Sequence, residues 1–212
     1  MTWLSAVFTA KDLHHNQWGT IKEEQPILVS EKIGHMDEPV CIVAYDPKRP
    51  QAFLAAKQQI KLEIDPVTPI QSIDDALIHS EPLYIPTTIA RGHFAQAFAN
   101  SPHSLTGELF IKGQEHFYME SQAVIAYPME NDQLEVHASS QHPSETQRVC
   151  AHALGLNLSD VTCVVKRMGG GFGGKESQAA HYAALAALVA HKLKRPARLC
   201  LTKDEDMLMT GK

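Results

Sequence analysis

No apolar run in this 212-residue sequence approaches the ~20 residues that a membrane-spanning helix needs. The opening, MTWLSAVFTAKDL, lacks the basic head and small-residue cleavage site of a secretory signal. Cysteine is scarce: Cys41, Cys150, Cys163 and Cys200 never fall at a CxxC spacing. That excludes a zinc knuckle, a disulfide framework and an iron–sulfur ligand pattern, and buried free thiols become the expectation for all four. The 12 histidines contain neither HExxH nor HxH, and the adjacent His14 and His15 point their side chains apart, so spacing suggests no histidine metal site. Basic residues are outnumbered, 19 against 24 acidic, for a net charge of -5, which excludes a broad nucleic-acid surface. Internal repeats and low-complexity tracts are missing. With 44% hydrophobic residues and only 12 Gly and 12 Pro, disorder is excluded as well. A globular chain of one ordinary domain or two small ones remains, expected in the cytoplasm, with neither membrane nor nucleic acid as a partner.

The first part of the chain reads as mixed helix and strand. Val40 to Tyr45 is a short apolar run suited to a buried strand. Asp46 and Pro47 resemble an N-cap and first helical residue, and predict a helix over Gln51 to Ile60. KLEID, residues 61 to 65, alternates as a strand and is stopped by Pro66; Ser72 and Asp75 cap a short helix through Ile78. Ser80 to Ile89, with two prolines and no period, reads as a linker, and Phe94 to Ala99 as a short helix. Strands are then expected over 104–113, 123–128 and 134–139, and a helix over Pro143 to Leu156 with Gly155 at its C-terminal cap. VTCVVKRM, residues 161–168, is a strand pattern, the alanine-rich 175–194 a helix, and 197–202 a strand before a capped acidic turn at Asp204.

Between the strand at 161–168 and the long helix lies Gly169-Gly170-Gly171-Phe172-Gly173-Gly174-Lys175-Glu176. Backbone this rich in glycine lets a ligand approach closely and leaves amides uncovered, and the helix N-terminus behind it favours an anion. Three readings fit the letters. Gly169, Gly171 and Gly174 satisfy the dinucleotide pattern GxGxxG, but the Asp or Glu required about 20 residues on is replaced by the end of a helix rich in Lys192, Lys194 and Arg195. Gly169 to Lys175 satisfies the phosphate-loop pattern GxxxxGK, yet Glu176 stands where a magnesium-binding hydroxyl belongs, and its charge opposes phosphate. The third reading is a turn that merely lets helix and sheet pack.

GQEHFYME at 113–120 and RMGGGFGGKES at 167–177, with SSQHPSETQ at 139–147 and DEDMLMTGK at 204–212, resemble the molybdenum hydroxylase family, closest to the molybdopterin-binding subunit of its xanthine dehydrogenase branch. The resemblance implies an α+β fold: the remainder of an α/β hammerhead domain over residues 1–80, then the first part of a molybdopterin-binding domain over 81–212. It implies a molybdenum–molybdopterin cofactor, with Gln114 hydrogen-bonding a ligand of the metal and Phe172 and Gly173 bordering the metal through their backbone. Gly171 then belongs to the same cofactor-binding loop. Glu176 matches the family's substrate-facing catalytic glutamate, which meets the purine ring and offsets charge developing on it; the alternative is a glutamate placed by the helix dipole. Glu115, His116 and Glu120 are expected to be structural, Gln141 and Gln147 to orient the pterin or not, and Lys175 to contact cofactor phosphate or extend to solvent. Met207 and Met209 read as core.

The implied reaction is oxidative hydroxylation of hypoxanthine or xanthine, with water as the oxygen source. Its general base, a glutamate near the family's C-terminus, has no counterpart before Lys212. A chain lacking turnover on its own is therefore expected, with 2Fe-2S and FAD centres on a partner subunit. Two alternatives stay open, a non-catalytic assembly or decoy fragment and an aldehyde oxidase-type hydroxylase.

Overall fold

The computed structural model describes residues 4–79, 85 and 87–210. In chain order the strands and helices are β1 (Leu4–Phe8), β2 (Gln17–Trp18), β3 (Gln25–Pro26), β4 (Ile42–Tyr45), α1 (Pro50–Lys57), α2 (Ile73–His79), α3 (Phe94–Ala99), β5 (Ala123–Pro128), β6 (Leu134–Ala138), α4 (Pro143–Leu154), β7 (Val161–Val164), α5 (Gln178–Leu193), β8 (Ala197–Cys200) and α6 (Lys203–Met209). The chain forms two compact units: residues 1–59 with 113–212, and residues 60–112.

The larger unit is built on a four-stranded sheet in the order β7-β6-β5-β8. β5 and β6 form an antiparallel hairpin whose turn passes through Asn131 and Asp132, both at positive φ, as tight hairpins prefer of Asn and Asp. α4 then carries the chain across so that β7 lies parallel to β6, while β8 runs antiparallel to β5. Alternation assigns the faces: Val124, Ala126, Leu134, Val136 and Ala138 point into the core, and Ile125, Glu135 and His137 lie on the opposite face. α5 packs on the core face. Its residues 179–190 are buried all round, as expected of a helix enclosed on every side, and its alanines allow backbone-close packing against α4 and the sheet. Phe8, Leu13, Trp18, Ile27 and Leu28 join the same core, where Trp18 stacks on His181 of α5. β1 pairs with β4 in a separate antiparallel ribbon.

The smaller unit, 60–112, contains α2 and α3 and, among its described residues, no strand. Ser72 caps α2 as its spacing requires, accepting from the Asp75 amide at 3.0 Å. The strands expected at 61–65 and 104–113 are not formed. A strand needs a neighbour to take its backbone hydrogen bonds, and none is supplied, so Leu105 and Leu109 lie exposed on irregular backbone.

Other expectations shift at their ends. Asp46 and Pro47 open a turn rather than the helix, with the Asp46 carboxylate accepting from the Lys48 amide; α1 starts at Pro50, one residue before the expected Gln51, and ends at Lys57, three short of Ile60. β7 stops at Val164, and the helix expected from Lys175 starts at Gln178 because 171–176 is spent on successive turns. Gly155 caps α4 in the left-handed conformation, as expected. The thiols are all free, but only Cys150 is buried; Cys41 and Cys163 are half-buried and Cys200 is exposed. Of the expected linker, residues 80–84 and 86 lie outside the described residues.

Candidate cofactor site

The glycine loop follows β7 and lies on the segment 116–120, so the two motifs that carry the resemblance meet in space. Glu120 anchors the loop's entry: its Oε2 accepts from the Gly169 amide at 3.0 Å and from the Ser139 hydroxyl at 3.0 Å. The Gly169 amide, more than any other group, holds the Glu120 carboxyl below the ordinary carboxylate range. Gln141 anchors the exit, its Oε1 accepting from the amides of Gly173 at 2.9 Å and Lys175 at 3.3 Å. Turn bonds from Gly174 to Gly171 and from Glu176 to Gly173 close the loop on itself.

Beneath the loop lies a buried polar network. The Tyr118 hydroxyl donates to Asp206 of α6 at 2.6 Å, the Gln122 amide donates to the other carboxylate oxygen at 2.7 Å, and the Gln122 side chain donates to Tyr118 at 3.1 Å and to the Gly174 carbonyl at 3.0 Å. Burial first, and the Asp206 carboxylate next, push the Tyr118 phenol well above its ordinary value, so it stays a donor. Lys175 is fully buried, with its ammonium 2.7 Å from the Ser139 hydroxyl, 3.6 Å from Glu120 and over the Tyr118 ring. Burial lowers its pKa, against the pull of Glu120. Both sequence readings of Lys175 are thus corrected. It neither extends to solvent nor faces outward to a phosphate, but sits as a cation under the loop.

Two glycines show why the loop has this composition. A Cβ on Gly174 would stand 2.6 Å from the Tyr118 ring, so only glycine lets the loop lie this close. Gly173, at φ +95°, needs glycine for its backbone instead, and the space beyond it is open except for His116 at 3.8 Å. Packing therefore explains part of the loop, as the turn reading expects. It does not explain the backbone amides in the middle of the loop, although Gly171 itself packs on Gln141. The amides of Gly170, Gly171 and Phe172 make no hydrogen bond among the described residues, and Phe172 holds a left-handed φ of 51° with its side chain 77% exposed. Three consecutive uncommitted amides, backed by a buried ammonium, suit a close anionic group.

The other site residues are placed as follows. Gly171 is buried against Gln141, and the Phe172 ring rests on Gly170. Gln114 is exposed, four residues before Tyr118, and its side chain makes no described contact with the loop. Glu176 is exposed just before the N-terminus of α5, with its side chain committed to no described partner. Gln147 is structural, donating to the carbonyls of Leu158 and Val161. Tyr118, Gln122 and Asp206 escaped sequence reasoning as a network, although Tyr118 and Asp206 lie inside the motifs quoted.

Comparison with known proteins follows the same residues. Residues 78–212 match the profile of the family described as molybdopterin cofactor-binding domain. A xanthine dehydrogenase of Drosophila subobscura is 39% identical over 211 residues, covering 97% of this chain and 16% of that protein. An aldehyde oxidase 2 of Cavia porcellus is 38% identical over 208 residues, covering 97% of this chain and 15% of that protein. The chain thus spans about a sixth of the length of these relatives. Among solved structures, the aldehyde oxidoreductase of Desulfovibrio gigas superposes with a TM-score of 0.84 over 100% of this chain and 25% of its own, at 21% identity. Quinoline 2-oxidoreductase of Pseudomonas putida 86 gives 0.78 over 96% of this chain and 28% of its own, also at 21% identity.

Proposed function

The chain belongs to the molybdopterin cofactor-binding domain family, and from that premise we propose that its glycine loop and the 114–120 segment form one wall of the molybdenum site of a xanthine dehydrogenase-like hydroxylase. The observation that carries the proposal is the run of three uncommitted amides at Gly170, Gly171 and Phe172, held open by Glu120 and Gln141 over the buried Lys175. When bound, the cofactor supplies the redox centre and the oxygen-transfer chemistry. The protein's own residues orient it. The backbone of Gly171, Phe172 and Gly173 would border it, with the uncommitted amides of Gly170, Gly171 and Phe172 turned to its anionic atoms, and the carboxamide of Gln114 would turn toward the metal's ligands from its exposed position. Glu176 faces the substrate and hydrogen-bonds the purine ring.

Residues 1–80 are proposed as part of an α/β hammerhead domain and 81–212 as the start of the cofactor domain, a division supported by the family match beginning at residue 78. Hydroxylation of hypoxanthine or xanthine is proposed for the whole enzyme, since the chain spans 16% of the xanthine dehydrogenase it matches, and the chain alone is expected to bind without turnover. The 2Fe-2S and FAD centres are proposed to lie on a partner subunit. An aldehyde substrate is the second reading, favoured by the 38% identity to an aldehyde oxidase.

The two substrates are separated by Glu176→Ala in the whole enzyme. Purine specificity predicts a loss of about 100-fold or more in kcat/KM for hypoxanthine, the scale of a lost positioning or acid–base group. An aromatic aldehyde should be turned over with little change. An equal loss on both substrates, or none on hypoxanthine, contradicts the assignment of Glu176.

A further inference from the structure

Outside the glycine loop, the 13–24 segment and α4 bring His15, Glu23 and His152 together, with one potential ligand atom from each lying within 4.8 Å of the others. His15 does not simply diverge from His14, as adjacency suggested. Its ring stacks on that of His152 of α4, centroids 4.0 Å apart and planes 18° from parallel. Glu23 Oε2 lies 3.8 Å from His15 Nε2 and 3.9 Å from His152 Nδ1. Both distances are too long for hydrogen bonds. His15 Nε2 is closed off from solvent and has no hydrogen-bond partner among the described residues. A buried ring nitrogen left in this way is costly and calls for a ligand.

The surroundings hold the carboxylate in place. Arg148 engages Glu23 Oε1 and is itself held by Glu145 through bonds of 2.8 and 2.9 Å, which leaves Glu23 Oε2 directed at the two imidazoles. Such outer contacts fix a ligating carboxylate in metal sites. The two carboxylates also offset the Arg148 charge.

We propose that His15 Nε2, His152 Nδ1 and Glu23 Oε2 bind a zinc ion that fastens the 13–24 segment to α4. Two imidazoles and a carboxylate are ligands that zinc accepts, with a fourth position for water, whereas calcium and magnesium prefer oxygen alone. Bonds of about 2.0–2.2 Å set tetrahedral donors about 3.3 Å apart, so each edge to Glu23 closes by roughly half an ångström. An imidazole lone pair lies in the ring plane. The half-exposed His152 therefore turns out of the stack to point Nδ1 at the ion.

The test is a titration of the 212-residue chain with zinc chloride against a chromophoric chelator at pH 7, with His152→Ala in parallel and imidazole nitrogen NMR on both. One zinc per chain is expected, with affinity weakened at least tenfold by the substitution. The nitrogen signals of His15 Nε2 and His152 Nδ1 should move on binding. Should His152→Ala perturb the fold, the NMR shifts in the unsubstituted chain decide the matter. Unmoved signals at those two nitrogens, or equal affinity in a folded His152→Ala, overturn the proposal.

Discussion

Tyr118 shows at single-residue scale how the candidate site is held. Its hydroxyl satisfies the buried Asp206 carboxylate and accepts from Gln122, which in turn holds the Gly174 carbonyl. Tyr118→Phe removes one donor from a buried charge and one acceptor from a buried amide, and is expected to cost about 2–3 kcal/mol in urea unfolding. The loop glycines separate by mechanism. Gly174→Ala drives a methyl into the Tyr118 ring, which its hydrogen bonds prevent from moving, and is expected to lose about 2 kcal/mol or more. Gly173→Ala meets open space and is strained only by its φ, so the expected loss is nearer 1 kcal/mol. The order of the two unfolding midpoints checks this account. At this scale the sequence was informative about position and less so about contact. The loop and the 113–120 motif are both legible as letters, and the structure brings them together. The burial of Lys175 was not legible, because a lysine after a glycine loop reads as solvent- or phosphate-facing until the Ser139, Glu120 and Tyr118 that enclose it are known to converge there.

At the scale of elements, α5 is the axis of the larger unit, and the buried one of its two histidines sets a pH dependence. His181 is buried, donates from Nε2 to the Ile27 carbonyl at 2.7 Å and stacks on Trp18. Burial pushes its imidazole down to about 4 from an ordinary value of 6.5, with the Ile27 carbonyl opposing only in part. The unfolded chain takes up a proton below 6.5 and the folded chain does not until about 4. Stability contributed by the neutral, buried ring is therefore complete above pH 6.5 and declines as pH falls toward 4, by up to about 3 kcal/mol. Equilibrium unfolding between pH 7 and 4 should show this slope, and His181→Gln should flatten it. Strands 123–128 and 134–138 and helices α4 and α5 were legible because their periodicity and caps are local. The segments at 61–65 and 104–113 alternate just as well, but pairing is not a local property, and no neighbour takes up their hydrogen bonds. β1 was missed for the converse reason: five residues without a turn signal become a strand only because β4 lies beside them.

For the molecule as a whole, fold and family rest on the core of the larger unit, and the proposed chemistry on the backbone amides in the middle of one loop. No described helix is long and apolar enough to cross a membrane. The most direct test of the central claim is the molybdenum and pterin content of the 212-residue chain, purified from a host that synthesises the cofactor, beside a variant in which Gly171 and Gly173 are both replaced by valine. The account predicts molybdenum and pterin together, approaching one per chain, and their loss in the variant while its α-helical circular dichroism persists. Metal and pterin at the level of an unrelated control protein, in a chain that is folded, would contradict it.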